Sequence, residues 1–241
     1  MSKILMLVEG ARTDVRLMAK LLDMYGISDD HELVSYNTNI YELYGQMFVN
    51  GDPDSIDLLQ LLKERESDET KKKLFDERYS DILLVFDLDP QDQLFSEDKI
   101  IEMARYFNES TDKGKLYINY PMVESFYHMK SIPDTDYMSY TVSMDELRQG
   151  SYKQRVNMEN RNHDYSKFAV TREECNTVIK QNMEKAYSII GQEFDYIAAP
   201  DNDAVLISQL KELSSNGKVF VLCTCDFYIV DYNPNFINQI M

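Results

Sequence analysis

Short unbroken apolar runs alternate with stretches of helical spacing along the first half of the chain. Residues 4–8 are consecutively apolar, the pattern of a strand buried on both faces. Residues 9–14 form a turn. Val15, Leu17, Met18, Leu21, Leu22 and Met24 then recur at helical spacing, with Gly26 as the stop. Residues 31–40 resume extended character through Leu33, Val34 and Tyr36. Residues 41–79 turn helical and strongly charged, with Leu58-Leu59, Leu61-Leu62 and Leu74-Phe75 as apolar contacts and Asp52-Pro53-Asp54 as a loop or helix start. A second buried-strand run covers 82–86 and ends in Asp87-Leu88-Asp89-Pro90-Gln91-Asp92. Ser96 then caps a helix carrying Ile100, Ile101, Met103, Ala104, Tyr106 and Phe107. Residues 115–119 are a further short strand, and Pro121 suits the first turn of a following helix.

This alternation predicts an α/β protein with a mainly parallel sheet flanked by helices. The remainder reads as loops and helices over 131–190, a helix over 204–213 that stops at Asn216-Gly217, and a final buried strand over 219–230. With no internal repeat and no flexible linker, the two halves are expected to share one body.

Composition agrees with a packed core: of 241 residues, 44% are hydrophobic and 12% aromatic, with only 8 Gly and 6 Pro. The 42 acidic and 25 basic side chains give a net charge of −17, a field that repels polyanions and argues against a nonspecific nucleic-acid or membrane coat. The chain reaches Glu9 before a signal-type apolar segment of useful length, and no run approaches the roughly 20 apolar residues that span a bilayer. No membrane partner is expected, and the chain reads as cytoplasmic. Cys175, Cys223 and Cys225 fit reduced thiols in or near the core. If residues 219–230 form a strand, Cys223 and Cys225 share one of its faces, and no His or Cys cluster nearby completes a zinc site.

In open α/β sheets, sites form beyond the carboxyl ends of strands. Two such ends terminate in acids, Glu9 after the first strand and Asp87 and Asp89 after the later one. Should those strands be neighbours, the three carboxylates converge, and a hard cation such as Mg²⁺ or Mn²⁺ resolves their repulsion. Asp92 is a further ligand candidate. The same acids would equally serve as caps of turns and helix N-termini. Gly10 allows close backbone approach to a phosphate, Arg12 offers a cation for transition-state charge, and Asp14 opens the first helix.

The arrangement strand-Glu-Gly-x-x-x-Asp at 9–14, followed by strand-Asp-x-Asp at 87–89, resembles the toprim fold of topoisomerases, primases and related nucleases. The segment Asn119-Tyr120-Pro121-Met122-Val123-Glu124, followed by His128, is similar to the "N-P-x-x-E" stretch of toprim-like proteins in bacterial anti-phage systems, among them the RloB and AbiLii-like groups. The resemblance implies a toprim-like catalytic core over 1–130, with residues 41–79 as a helical insertion; residues 131–241, beyond its reach, are expected to form a mostly helical, basic extension that adds a final strand. It implies Glu9, Asp87 and Asp89 as catalytic and Mg²⁺-binding residues and an ABC- or SMC-like ATPase as partner. Glu124 and His128, four apart on the expected helix, face the same way and are either auxiliary site residues or a polar pair that stabilises the helix.

From Arg148 to Arg172 six cations stand against Glu159 and Asp164, a net +4 that leaves −21 for the rest of the chain. Lys153, Arg155, Arg161 and Lys167 are interleaved with Tyr152, Tyr165, Phe168, Asn157, Asn160 and Asn162, a composition suited to single-stranded or loop RNA. A basic loop neutralised by the acidic body has the same composition. His31 and His163 are expected as ordinary surface or loop histidines. The leading functional expectation is a Mg²⁺-dependent nuclease cutting RNA such as tRNA, or DNA, as the toxic effector of an anti-phage system. The alternatives are a non-catalytic scaffold subunit and a phosphoryl-transfer enzyme acting on nucleotides. Assembly as a homo-oligomer is left open.

Overall fold

A computed structural model describes residues 3–49 and 52–238. Strand β1 (Lys3–Val8) leads into α1 (Thr13–Met24) and returns as β2 (His31–Ser35). The charged stretch that follows folds as three short helices, α2 (Ile40–Met47), α3 (Leu58–Arg65) and α4 (Glu69–Lys72), before β3 (Tyr79–Asp87). The next helix, α5 (Glu97–Tyr106), precedes the two-residue β4 (Asn108–Glu109) and β5 (Gly114–Asn119). The second half contains β6 (Thr141–Ser143), α6 (Met144–Arg148), α7 (Tyr152–Glu159), α8 (Arg172–Ile190), α9 (Asn202–Asn216), β7 (Lys218–Phe220), α10 (Phe227–Tyr232) and α11 (Asn235–Asn238).

The main sheet has the order β2-β1-β3-β5-β4, parallel except for the β4 edge. Leaving β1, the chain first goes outward to β2 and then crosses to β3 on the other side of β1. Connections therefore diverge between β1 and β3, which opens a crevice at their carboxyl ends. Register pairs Leu7 with Leu84 and Val8 with Val85, all fully buried, as expected for strands covered on both faces. One hydrophobic core runs from Leu5 to Ile237 and takes residues from both halves of the chain. No described helix is long and apolar enough to cross a membrane.

Three expectations are corrected. Residues 219–230 are not one strand: β7 pairs antiparallel with β6, Leu222 makes a single bridge to Tyr120, and α10 follows. The chain bends there because the Asn119 side-chain oxygen accepts from the backbone N–H of Thr224 (3.2 Å) and Cys225 (3.3 Å), and Phe227 N–H closes a turn on Thr224. The free, buried Cys223 and Cys225 thus place their sulfurs 3.3 Å apart, in this turn rather than on a strand face. After Pro121, whose preceding peptide is cis, the chain forms a 3₁₀ turn, Val123–Tyr127, instead of an α-helix. His31 is buried, its Nδ1–H donating to Ile27 O and its Nε2 accepting from Tyr228 OH, and burial lowers its pKa.

Gly114 opens β5 at φ +123°, and a Cβ there would lie 2.6 Å from Leu84 Cδ1. Gly114→Ala combines a disfavoured backbone conformation with overpacking. We expect it to cost about 1–3 kcal/mol, read as a lower denaturant midpoint at unchanged m-value.

Candidate metal centre

Glu9 is the first residue beyond β1, and Asp87 is the last of β3. Because these strands are parallel neighbours, Glu9 N–H bonds to Val85 O (3.0 Å) and Asp87 N–H donates to Glu9 Oε2 (3.0 Å). Asp89 follows at φ +39°, a left-handed conformation that Asp tolerates better than most residues. Its N–H bonds to Pro121 O (3.1 Å), so the strand following β3 in the sheet steadies this loop. Tyr41 of α2 donates through its hydroxyl to Leu88 O, so the charged stretch between β2 and β3 braces the same loop. Each of Glu9, Asp87 and Asp89 offers an oxygen within 4.8 Å of the others.

Neighbours orient these acids. Asn119, which closes β5 at the register position facing Asp87, donates through Nδ2 to Asp87 Oδ1 (3.3 Å). Gln91 Nε2 donates to Asp89 Oδ1 (2.9 Å). Asp14, in the first turn of α1, packs over Gly10 so closely that a Cβ on Gly10 would lie 2.5 Å from Asp14 Oδ2. Glu124 in the 3₁₀ turn is buried and meets Lys153 of α7 at 3.0 Å. Glu9, Gly10, Asp14, Asp87, Asp89, Glu124 and Lys153 all line one cavity of about 350 Å³. Asp14 Oδ1 and Glu124 Oε2, the far oxygens of two of these lining residues, are buried without a hydrogen-bond partner.

Burial dominates the electrostatics. It pushes the Glu9 carboxyl up to about 8, with Asp89 and Asp14 adding repulsion, while the Asp87 N–H opposes the rise. Burial raises Asp87 well above its ordinary value, and Glu9 reinforces it; Asp89 is also raised, chiefly by burial. Asp14 is raised to about 6 by burial, tempered by backbone N–H groups. Helix-capping duty falls to other acids: Asp57, Asp68 and Asp201 cap α3, α4 and α9. Three anionic oxygen donors around one point, with Asp87 buried and Glu9 and Asp89 half-buried, form a donor set that hard divalent cations can take.

Several expected site residues lie elsewhere. Asp92 accepts from Asn39 Nδ2 (2.8 Å) and Leu94 N–H (2.7 Å), which ties it into the turn after Asp89 and away from the cluster. Arg12 is exposed and does not line the cavity. His128 does not share Glu124's surroundings, because the 3₁₀ turn replaces the expected helix. It is fully buried between Glu159 (3.0 Å) and Tyr152 (3.3 Å), and burial lowers its pKa to about 4, so it is a neutral packing residue. The basic segment is not an array of free cations. Arg155 is held by Glu146 (3.0 Å) and Glu159 (3.5 Å), Arg161 by Glu174 (2.7 Å) and Lys167 by Asp164 (3.3 Å), which leaves Lys153 alone of the four in the cavity. Gln91, Leu147 and Gly150 had no expected site role, whereas Asn119, Met122 and Val123 stood in the motif given above and Tyr152 among the aromatics between the cations. Asn119 is legible as the polar end of β5; nothing local marks Leu147 or Gly150.

A carboxyl raised in the folded state contributes stability that is full below its ordinary pKa and is lost as pH rises through the folded value. Without divalent cation, the melting temperature is therefore expected to fall between pH 4.5 and about 8, the span over which Glu9 is shifted. Asp87→Asn, which removes one of the crowded charges, should flatten that fall in circular-dichroism melts; an unchanged slope would contradict the assigned electrostatics. No protein-family model, curated protein or solved structure matches the chain, so the geometry of these carboxylates carries the functional reading.

Proposed function

We propose that this chain is a divalent-cation-dependent phosphodiesterase that cuts nucleic acid. The observation that supports it is the convergence of Glu9, Asp87 and Asp89 at the crevice between β1 and β3, with oxygens within 4.8 Å. Mg²⁺ or Mn²⁺ held by these three residues would supply Lewis-acid polarisation of a phosphate ester and compensate the carboxylate charge. Asn119 and Gln91 hold Asp87 and Asp89 in orientation, as outer-sphere partners do at metal sites. Lys153, side-chain 59% exposed and anchored on Glu124, presents a cation to a phosphate beside the acids. Asp14, at about 6, is suited to move a proton at a neutral working pH.

The resemblance to toprim-like defence proteins extends this reading to the effector of a bacterial anti-phage system under an ATPase partner. The charge of −17 suits a partner with a basic face.

Metal-dependent hydrolysis of bis-p-nitrophenyl phosphate and of RNA or DNA is expected for the native chain. Glu9→Gln and Asp87→Asn should each lower it about 10²-fold or more, with the fold retained by circular dichroism. Isothermal titration should show Mn²⁺ affinity lost in both variants. Hydrolysis that survives either substitution would sink the site assignment, and metal binding without hydrolysis would leave a binding scaffold.

A further inference from the structure

We infer that the cavity takes a single unpaired nucleotide of a single strand, and that this chain does not track a duplex. The inference rests on the phosphodiesterase reading above and narrows its substrate. Three observations carry it.

The first is size and lining. At about 350 Å³ the cavity is at the small end of small-molecule sites. Beside the acids and Lys153 it is lined by Met122, Val123, Leu147 and Tyr152, apolar surface that a phosphodiester backbone cannot use. A base reaches such side chains only when it is out of the stack. One phosphate at the acids and Lys153, with one base against the apolar lining, accounts for both kinds of wall.

The second is unmet hydrogen-bonding capacity. Asp14 and Glu124 are 6% and 4% exposed, and each keeps one buried oxygen without a donor. Buried acceptors of this kind are costly unless a donor arrives. Sugar hydroxyls and exocyclic base amines are donors, and the amines become available when the base is unpaired.

The third is the disposition of cations. Duplex binding requires many Lys and Arg on phosphates. Of the six cations from Arg148 to Arg172, five have their partners away from the cavity: Arg148 meets Asp145, Arg155, Arg161 and Lys167 have the partners given above, and Arg172 lies over the Tyr25 and Phe236 rings. Only Lys153 is at the cavity.

The test is fluorescence anisotropy of a short labelled oligonucleotide, alone and annealed to its complement, with Ca²⁺ replacing Mg²⁺ to suppress turnover. The single strand should bind about tenfold or more tighter than the duplex, the scale of one base contact. The salt dependence should have a slope of about −0.7, one phosphate's worth on a single strand. Lys153→Gln should weaken binding and flatten that slope, and the double variant Arg161→Gln, Lys167→Gln should bind as the native chain does. Equal affinity for strand and duplex, a slope of about −3 or steeper, lost affinity in the double variant, or no binding to either nucleic acid overturns the inference. In each of those cases Asp87-dependent hydrolysis of bis-p-nitrophenyl phosphate would leave the phosphodiesterase reading standing.

Discussion

Repulsion among three carboxylates crowded where a crevice meets the core, one buried and two half-buried, is the constraint around which this molecule is built. Glu9, Asp87 and Asp89 lie within 4.8 Å of one another where burial alone already disfavours their charged forms. Such a group persists only if the backbone holds it in place, because side chains free to move would separate into solvent. Here the holding is done by the parallel pairing of β1 and β3, by the Asp87 N–H on Glu9, and by the Pro121 carbonyl under Asp89. The expense is local and the scaffold is deep: the four residues before Glu9 are fully buried.

The second half of the chain is part of that holding. Asn119 accepts from the turn at Thr224 and Cys225 on one side and donates to Asp87 on the other. Lys153 and Leu147 come from helices α7 and α6 and line the cavity that the first half opens. Buried Lys185 donates to the carbonyls of Tyr137 and Tyr140 (2.8 Å each), and burial lowers its pKa far below the usual range, so it fastens the 137–140 turn as a hydrogen-bond donor. The site is thus a joint product of both halves.

The parallel strands of the main sheet were legible because buried parallel strands leave largely apolar runs, as at Leu83-Leu84-Val85-Phe86, whereas the exposed two-residue β4 leaves none. Their terminal acids were legible because charge at the end of such a run stands out. What the sequence hid depends on contacts between distant segments. Residues 219–230 are as apolar as a strand, yet Asn119, more than a hundred residues earlier, bends them. Asp92 has the same local credentials as Asp89, and its occupation as a turn residue shows only in its bonds to Leu94 N–H and to the distant Asn39, the cap of α2. Arg155 and Arg161 looked free because Glu146 and Glu174, which hold them, stand 9 and 13 residues away, spacings without helical meaning.

The parallel register also determines which length changes the chain can absorb. Glu9 and Asp87 are 78 residues apart, yet they meet because each stands at a set offset from its own strand. Residues added or lost in the connection between β2 and β3 leave the meeting point where it is. A single residue added inside β1 or β3 would turn the acid to the other face of the sheet. Separation along the chain between the two acidic motifs is therefore free to drift, while the distance from each motif to the apolar run before it is not.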